Sequence, residues 1–369
     1  MIFDLPPALI GKFYQQRPII RSEEEFRIVA IDISPDTGLV FDESSQQLIG
    51  QPLLVGEHHL LIHYQTKLYQ QWAETNSSYC LLVINPDPRS LWQNIPSDPQ
   101  QVYAKPDSTS QSIISIHMKV LAASQRGRSH AHKGQSREDD FFIAAGEHWQ
   151  LAIVADGAGS AKYSRYGSQL ICQTIGRFLS TVLARPMIDI KLELKNALGE
   201  AACTLENEAA AQQVDVKDYA STVLAVLCYF DSQQQDYMYW TVAVGDGAIA
   251  LYQPQTEQMK LLNTPDTGDY AGETRFLSND VLMQQNIINC YRSKEFMPCL
   301  LMTDGVSDAF FDSDNALKTH QAWRNLWRNL QQNQALDDDK NLLSWLDFWS
   351  KGNHDDRTLV VMRDNKKYG

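Results

Sequence analysis

The sequence predicts a small all-β domain followed by a larger, layered α+β domain. In residues 1–85, short runs of β-branched and apolar side chains alternate with turn residues. A proline-rich stretch occupies residues 86–112. Beyond it, strand-like runs and helix-like segments are segregated along the chain, which favours a layered α+β fold over a doubly wound parallel sheet.

In the first 85 residues, turn residues separate short strand-like runs at the spacing of a small β-sandwich. The runs FRIVAIDI, LVFD, QLIG and HHLLIHYQ are separated by clusters of Pro, Gly, Asp and Ser. Residues 38–64 also resemble immunoglobulin-like repeats related to cadherin domains. The positions in register with those repeats are Gly38, Leu39, Asp42, Leu48, Gly50, Pro52 and Gly56. The resemblance implies an immunoglobulin-like module over 1–85, and we expect such a module to bind a protein partner.

Residues 86–112 are rich in Pro, Ser, Gln and Asp and have no apolar period. Such a composition predicts an extended linker. The second domain is therefore predicted over 113–369.

Within that domain the apolar pattern predicts alternating blocks of strands and helices. WQLAIVADGAG is an apolar run ending in a Gly-rich turn, which is typical of a buried strand. Residues 164–183 and 190–213 carry apolar side chains at helical spacing. ASTVLAVLCYF and YMYWTVAVGDGAIALYQ predict a hairpin. A helix rich in Trp and Leu is predicted over 316–349, and HDDRTLVVMR predicts a closing strand.

The composition argues against several classes of protein. The formal net charge is −13, whereas nucleic acids and anionic membranes favour a basic surface. The N-terminus lacks a signal-peptide pattern, and no apolar run approaches the ~20 residues that span a bilayer. The six cysteines form no CxxC pair. We therefore expect a reduced, cytoplasmic protein without structural zinc.

Acidic residues recur at the ends of the strand-like runs. A single Asp-Gly is ordinary turn chemistry, but here Asp156, Asp246 and Asp304 each follow an apolar run and precede glycine, and Asp355 directly precedes a strand-like run. If these ends converge, two carboxylates ~4 Å apart repel each other by ~4 kcal/mol at an effective dielectric constant near 20. Cations would relieve this repulsion, and oxygen ligands without His or Cys suit Mg²⁺ or Mn²⁺ better than zinc. The acidic positions are Glu138, Asp139, Asp140, Asp156, Asp246, Asp304, Asp355 and Asp356.

Six motifs in order resemble those of the metal-dependent type 2C serine/threonine protein phosphatases, particularly their bacterial branch. They are SREDDFF, IVADGAGSA, STVLAV, VAVGDGAIALY, LLMTDGVSD and HDDRTLVV, and they cover nearly the whole second domain. The resemblance implies a four-layer β-sandwich flanked by helices, with metal ions held in a cleft at one edge.

The resemblance also assigns ligands to two or three Mn²⁺ or Mg²⁺ ions. Asp156 would bridge two metals, and the Gly157 carbonyl, Glu138 and Asp139 would serve the first of them. Asp304 and Asp355 would hold the second metal. Asp246 and Asp308 match residues associated with a third, weaker site. Asp156, Asp304 and Asp355 are thus the predicted catalytic residues.

Two such metals can lower the pKa of a shared water and direct the resulting hydroxide at phosphorus. The predicted activity is therefore hydrolysis of phosphoserine and phosphothreonine in proteins, opposed by Hanks-type kinases if the source is bacterial. Two alternatives stay open: a non-catalytic phosphatase-like scaffold protein, and a metal-dependent hydrolase of a small phosphate ester.

The residue that grips the substrate phosphate is not evident from the sequence. Many relatives have an arginine where this chain has Gly134. Arg137, Lys133 and His130 are the candidates for that role. Residues 263–280 are polar and Gly-rich, and they match either the mobile flap beside the cleft in this family or a plain surface loop.

Overall fold

The computed structural model describes residues 2–20, 25–69, 71–115, 118–185, 188–263, 274–283 and 286–365. The chain forms two compact units, Met1–Gln93 and Asn94–Gly369. Among the described residues, no helix is long and apolar enough to cross a membrane.

Unit 1 is built from strands. They are β1 (Phe3–Asp4), β2 (Ala8–Leu9), β3 (Tyr14–Gln16), β4 (Ile19–Ile20), β5 (Phe26–Asp32), β6 (Leu39–Asp42), β7 (Gln47–Gly50), β8 (Gly56–Leu68), β9 (Gln71–Trp72) and β10 (Asn76–Asn85). β8 pairs antiparallel with both β5 and β10, and β7 pairs with β3 and β6. The predicted β-rich character is confirmed, and the immunoglobulin-like type stays a prediction.

The glycines of the repeat-like segment are required by the backbone of unit 1. Gly38 has φ of 72° and ends a short 3₁₀ turn. A β-carbon on Gly50 would lie 2.3 Å from the Gly38 carbonyl oxygen. Leu39 and Leu48 are buried in the core of this unit, and Asp42 accepts hydrogen bonds from the backbone of the following turn. The segment therefore encodes turns and core contacts.

Unit 2 alternates strands with helices. Its strands are β11 (Ser108–Ile114), β12 (Met118–Gln125), β13 (Asp140–Ala145), β14 (Trp149–Ala155), β15 (Val223–Asp231), β16 (Asp236–Val244), β17 (Ala248–Gln253), β18 (Gln258–Leu261), β19 (Ile288–Ser293), β20 (Cys299–Met302) and β21 (Arg357–Asp364). Its helices are α1 (Arg128–Lys133), α2 (Ser164–Val182), α3 (Ile190–Gln212), α4 (Asn279–Leu282), α5 (Asp304–Phe310), α6 (His320–Gln332) and α7 (Asp339–Leu346).

Two antiparallel sheets form the centre of unit 2. Sheet I has the order β11-β12-β21-β20-β17-β18, and sheet II has the order β13-β14-β15-β16-β19. Apolar side chains of both sheets, such as Leu301 and Val226, share one buried cluster. Helices α2 and α3 cover the other face of sheet II, and α6 and α7 cover that of sheet I. The observed arrangement is helix, sheet, sheet, helix, within the predicted α+β class.

Three predicted elements differ from the structure. The run predicted as one strand through VAVGDGAIALYQ breaks at Gly245, whose φ is 101°, so that β16 belongs to sheet II and β17 to sheet I. The helix predicted over 316–349 is divided into α6 and α7. The last part of the predicted linker is strand β11, an edge strand paired with β12. Its alternating Ser, Thr and Gln side chains lack the apolar pattern that identifies a buried strand.

Candidate metal centre

Three predicted ligands converge at one edge of the two sheets. Asp156 follows β14 of sheet II, and Asp304 begins α5 directly after β20 of sheet I. Asp246 lies in the turn that carries the chain from β16 to β17. Each of these residues has a carboxylate oxygen within 4.8 Å of the others. The structure therefore brings together carboxylates that are up to 148 residues apart in sequence (304 − 156).

The backbone around Asp156 is fixed by the start of the next strand. The amide of Asp156 donates to Thr222 Oγ1 at 2.9 Å, and its carbonyl accepts from Ser221 Oγ at 2.7 Å. Gly157 forms a bridge with Ser221. A β-carbon on Gly157 would lie 2.7 Å from the carbonyl of Ser164, so only glycine fits. Thr222 therefore holds the Asp156 backbone in place.

Asp139 is buried and leaves one carboxylate oxygen free. Its Oδ2 accepts from Thr303 Oγ1 at 2.8 Å and from Thr358 Oγ1 at 2.7 Å. Its Oδ1 is buried and has no hydrogen-bond partner among the described residues. Burial raises the pKa of Asp139 to about 7. A buried carboxylate oxygen without a partner is costly, and a cation is a suitable partner for it.

Glu138 lies beside His130. Its Oε2 is 3.5 Å from Nε2 of His130. Burial raises the pKa of Glu138 to about 7, although the histidine opposes this shift. The backbone amide of Glu138 donates to Asp356 Oδ2 at 2.5 Å. This hydrogen bond connects the acidic motif at residues 138–140 with the one at residues 355–356.

A second cluster contains His130, Asp355 and Asp356, whose ligand atoms also lie within 4.8 Å of one another. Nδ1 of His130 is 3.0 Å from Asp356 Oδ1. Burial alone would lower the pKa of His130, but the contact with Asp356 and the nearby carboxylates outweigh it and raise that pKa to about 9. Asp356 is buried and also accepts from the amide of Gly127 at 2.6 Å. Asp355, the predicted ligand of the pair, is exposed.

Asp308 lies one turn after Asp304 on α5. Burial and the charge of Asp246 raise the pKa of Asp308. These three residues border a cavity of about 400 Å³ that Asp312 and Asp314 also line. The residues predicted for the third, weaker metal site are therefore neighbours.

The carboxylates raise one another's pKa values. Burial raises the pKa of Asp156 well above its usual range, and the charges of Asp304, Asp139 and Asp355 add to this effect. Burial and the charge of Asp246 do the same to the pKa of Asp304. Such a site without cations resists ionisation. A set of clustered oxygen donors with one unpartnered buried oxygen fits Mg²⁺ or Mn²⁺.

Arg137 was predicted as a phosphate-binding residue, and the structure places it elsewhere. Its side chain is 2% exposed and donates to Ser124 Oγ at 2.5 Å and to the Asp139 carbonyl at 2.6 Å. The guanidinium is held in the interior because these acceptors compensate its burial. Arg137 therefore supports the Glu138–Asp139 loop from the interior and is not available to substrate.

The other two phosphate-binding candidates lie on α1. Lys133 is exposed at the last turn of this helix, and Gly134 follows as its left-handed C-cap with φ of 64°. A left-handed C-cap favours glycine, which accounts for the absence of arginine at this position. Among the three candidates, His130 is the one in contact with the carboxylates.

One residue of this site, Lys105, was not predicted from the sequence. Lys105, inside the predicted linker, is 6% exposed, and its Nζ donates to the Asp139 carbonyl at 2.6 Å. A lysine in a Pro-rich polar segment carries no sequence signal of burial.

Of the segment 263–280, predicted as a flap or a plain surface loop, residues 264–273 lie outside the described residues. Thr274, just after them, donates to Asp246 Oδ2 at 2.7 Å.

A sequence profile described as protein phosphatase 2C matches residues 126–347, which is more than half of the 369 residues. This chain belongs to the protein phosphatase 2C family.

The comparison with solved structures gave matches that cover about two thirds of this chain. RsbX in complex with magnesium has 16% sequence identity and a TM-score of 0.42, and the match covers 70% of this chain and 100% of RsbX. PppA, described as a key regulatory component of T6SS in Pseudomonas aeruginosa, has 18% identity, coverage of 69% and 100%, and a TM-score of 0.43. The S. agalactiae serine/threonine phosphatase has 16% identity, coverage of 66% and 98%, and a TM-score of 0.44. A comparison with curated proteins gave no match.

Proposed function

We propose that this chain hydrolyses phosphoserine and phosphothreonine in proteins with Mn²⁺ or Mg²⁺ held at the carboxylate centre. The observation that carries the proposal is the convergence of Asp156, Asp246 and Asp304. The unpartnered buried oxygen of Asp139 supports it, and membership of the protein phosphatase 2C family supports the reaction class.

The proposed ligands divide into three sets, one for each ion. Asp156, the Gly157 carbonyl, Glu138 and Asp139 would hold one ion, and Asp304 and Asp355 would join Asp156 at a second. Asp246 and Asp308 would serve a third. Divalent ions there supply a water of lowered pKa and neutralise charge on the phosphate. The carboxylates of this chain fix where that chemistry takes place, because Asp156, Asp246 and Asp304 follow the ends of strands β14, β16 and β20.

His130 is the proposed cationic group for the substrate. Its contact with Asp356 holds the ring, and its Nε2 faces Glu138 at 3.5 Å. A protonated Nε2 can donate to a phosphate oxygen or to the leaving oxygen. Lys133 stays a second proposed phosphate contact, because it is exposed and lies on the same short helix.

The proposed substrate is a phosphoprotein, formed by a Hanks-type kinase if the source is bacterial. Unit 1 is proposed to bind a protein partner. A specific observation favours one alternative to catalysis: Arg137 is buried, and so is Arg126, which pairs with Asp107 at 3.0 Å. With these arginines unavailable, a domain that binds phosphoprotein without turning it over is the second candidate function.

The proposal is tested by hydrolysis of a phosphothreonine peptide and of p-nitrophenyl phosphate. The assay compares Mn²⁺, Mg²⁺ and EDTA for the wild type, Asp156→Asn and Asp304→Asn. We expect metal-dependent turnover that falls by at least ~100-fold in both variants. The control is Glu147→Gln, which neutralises an exposed carboxylate in the turn between β13 and β14 and is expected to keep wild-type activity.

Each other outcome has a definite meaning. Absence of turnover by folded, metal-bound protein would contradict catalysis and favour the scaffold function. Turnover of p-nitrophenyl phosphate and small esters, with the phosphopeptide untouched, would favour the small-ester hydrolase.

A further inference from the structure

We propose that Lys105 is a positioning residue that sets the metal-binding loop Glu138–Asp139. The inference rests on the proposed function, since it assigns both loop residues to the metal site. Lys105 lies outside the matched family region, which begins at residue 126.

Lys105 is surrounded by oxygen atoms of the site. Its Nζ donates to the Asp139 carbonyl at 2.6 Å and is 3.3 Å from the Glu138 carbonyl. It also donates to the carbonyl of Arg165 at 2.9 Å and to Ser168 Oγ at 3.2 Å. Asp140 Oδ2 lies 3.3 Å away. One ammonium group therefore joins three consecutive acidic residues to helix α2.

These contacts act on the backbone of the ligands. A hydrogen bond from a charged donor is roughly twice as strong as one between neutral groups. The Asp139 carbonyl accepts two such bonds, from Lys105 and from Arg137. Ser168 Oγ donates in turn to the Glu138 carbonyl. The carbonyl of each proposed ligand is thus held by groups that do not touch the metal site itself.

The segment that carries Lys105 is itself anchored on unit 2. The ring of Tyr103 stacks on Tyr166 with centroids 3.9 Å apart and planes 6° apart. Its hydroxyl donates to Glu208 at 2.7 Å. The carbonyl of Val102 accepts from Arg165 Nη2 at 2.8 Å. Because its neighbours are fixed in this way, Lys105 enters the interior from a defined position.

Burial of a lysine is costly unless its charge is compensated. Lys105 is compensated by groups of the metal-binding loop and α2, and its removal would take the charged donor away from the carbonyls of Asp139 and Arg165. We expect the loop to relax and the ligands to lose their preset geometry. Groups that orient metal ligands from outside the coordination shell typically contribute 10–100-fold to metal affinity.

The test is Mn²⁺ binding measured by isothermal titration calorimetry. We expect Lys105→Met to raise the Kd for Mn²⁺ by about 10–100-fold relative to the wild type. In p-nitrophenyl phosphate hydrolysis, the half-saturating Mn²⁺ concentration should rise, with a smaller change in kcat at saturating Mn²⁺. The control is Lys119→Met, because Lys119 donates to the carbonyl of Asp337 and, among the described residues, makes no hydrogen bond to the loop. We expect the Kd of Lys119→Met for Mn²⁺ to stay within about twofold of the wild-type value, in contrast to the 10–100-fold rise expected for Lys105→Met.

Two further measurements keep the test decisive. If Lys105→Met does not fold, as judged by circular dichroism, Ser168→Ala replaces it, and we expect a Kd raised by several-fold. Wild-type Mn²⁺ affinity in a folded Lys105→Met variant, or in Ser168→Ala, would overturn the role of Lys105. If the wild type itself binds no Mn²⁺, it is the proposed function that fails.

Discussion

Asp139 links the first acidic motif to the two last ones. Its Oδ2 accepts from Thr303, the residue before Asp304, and from Thr358, at the start of β21. Its other oxygen is left without a partner. Hydrogen bonds to the charged form oppose the effect of burial on the pKa of a carboxylate. The threonines thus orient Asp139 and leave one oxygen for a cation.

The raised pKa values predict how the stability of the metal-free protein depends on pH. Asp139 has an ordinary pKa of 3.8 and a folded pKa of about 7, and for Glu138 the values are 4.5 and about 7. Between these limits the folded state binds more protons than the unfolded state, so stability falls as pH rises. His130, at about 9 instead of 6.5, extends the fall above pH 7.

We therefore expect the free energy of unfolding in EDTA to decrease by on the order of 2–4 kcal/mol between pH 5 and pH 8. Urea unfolding at each pH measures it. Asp156→Asn removes one of the mutually repelling charges and should be more stable than the wild type at pH 8. Stability that rises over this range would contradict the assignment.

At the scale of single residues, the sequence predicted which carboxylates converge better than it predicted the groups that support them. Asp156, Asp246 and Asp304 are recognisable because each follows an apolar strand and precedes glycine. Lys105 and Asp356 are recognisable only after folding, because their contacts lie 34 and 218 residues away in sequence. Arg137 was misassigned, since a sequence does not tell whether an arginine beside an acidic motif points to solvent or to the interior.

The start of helix α5 lies in close contact with the last acidic motif, Asp355–Asp356. A β-carbon on Gly305 would lie 1.8 Å from the carbonyl oxygen of Asp356. Gly305 therefore permits close contact between the start of α5 and the segment before β21. In contrast, a β-carbon on Gly199, within α3, would have no atom within 4 Å.

This pair of glycines gives a matched prediction. We expect Gly305→Ala to lower the free energy of unfolding by roughly 3 kcal/mol, because the backbone of one element must move. Gly199→Ala should raise it by about 0.5–1 kcal/mol, because alanine is the better helix former and meets no obstacle. Chemical denaturation of both variants measures the difference. Equal effects of the two substitutions would refute the close approach of α5 to Asp356.

At the scale of elements, helical periodicity was the reliable signal. The helices predicted over 164–183 and 190–213 are confirmed as α2 and α3, because each buries one apolar stripe against sheet II. The crossing at Gly245 was missed, since the apolar pattern continues on both sides of a turn that changes sheets. The edge strand β11 was missed because half of its pattern is polar: Ser110 and Ser112 donate to Asp339.

For the whole molecule, the proposed metals are expected to stabilise the fold. All the proposed ligands belong to unit 2. A ligand that binds only the folded state contributes about 2.7 kcal/mol at a concentration 100 times its Kd. We expect Mn²⁺ at that concentration to raise the melting temperature by roughly 5–10 °C. Calorimetry of the wild type and of Asp304→Asn measures this shift, and an equal shift in both proteins would contradict binding at Asp304.

The carboxylates come from both central sheets: Asp156 extends from sheet II and Asp304 follows a strand of sheet I. Adjacent residues along a strand are about 3.3 Å apart. A slip of one sheet over the other by a single residue would therefore separate ligands that now lie within 4.8 Å. The affinity for the proposed metals therefore depends on the alignment of sheets I and II. Shear applied between them, for example by pulling on β14 and β20, would therefore lower the affinity for the proposed ions.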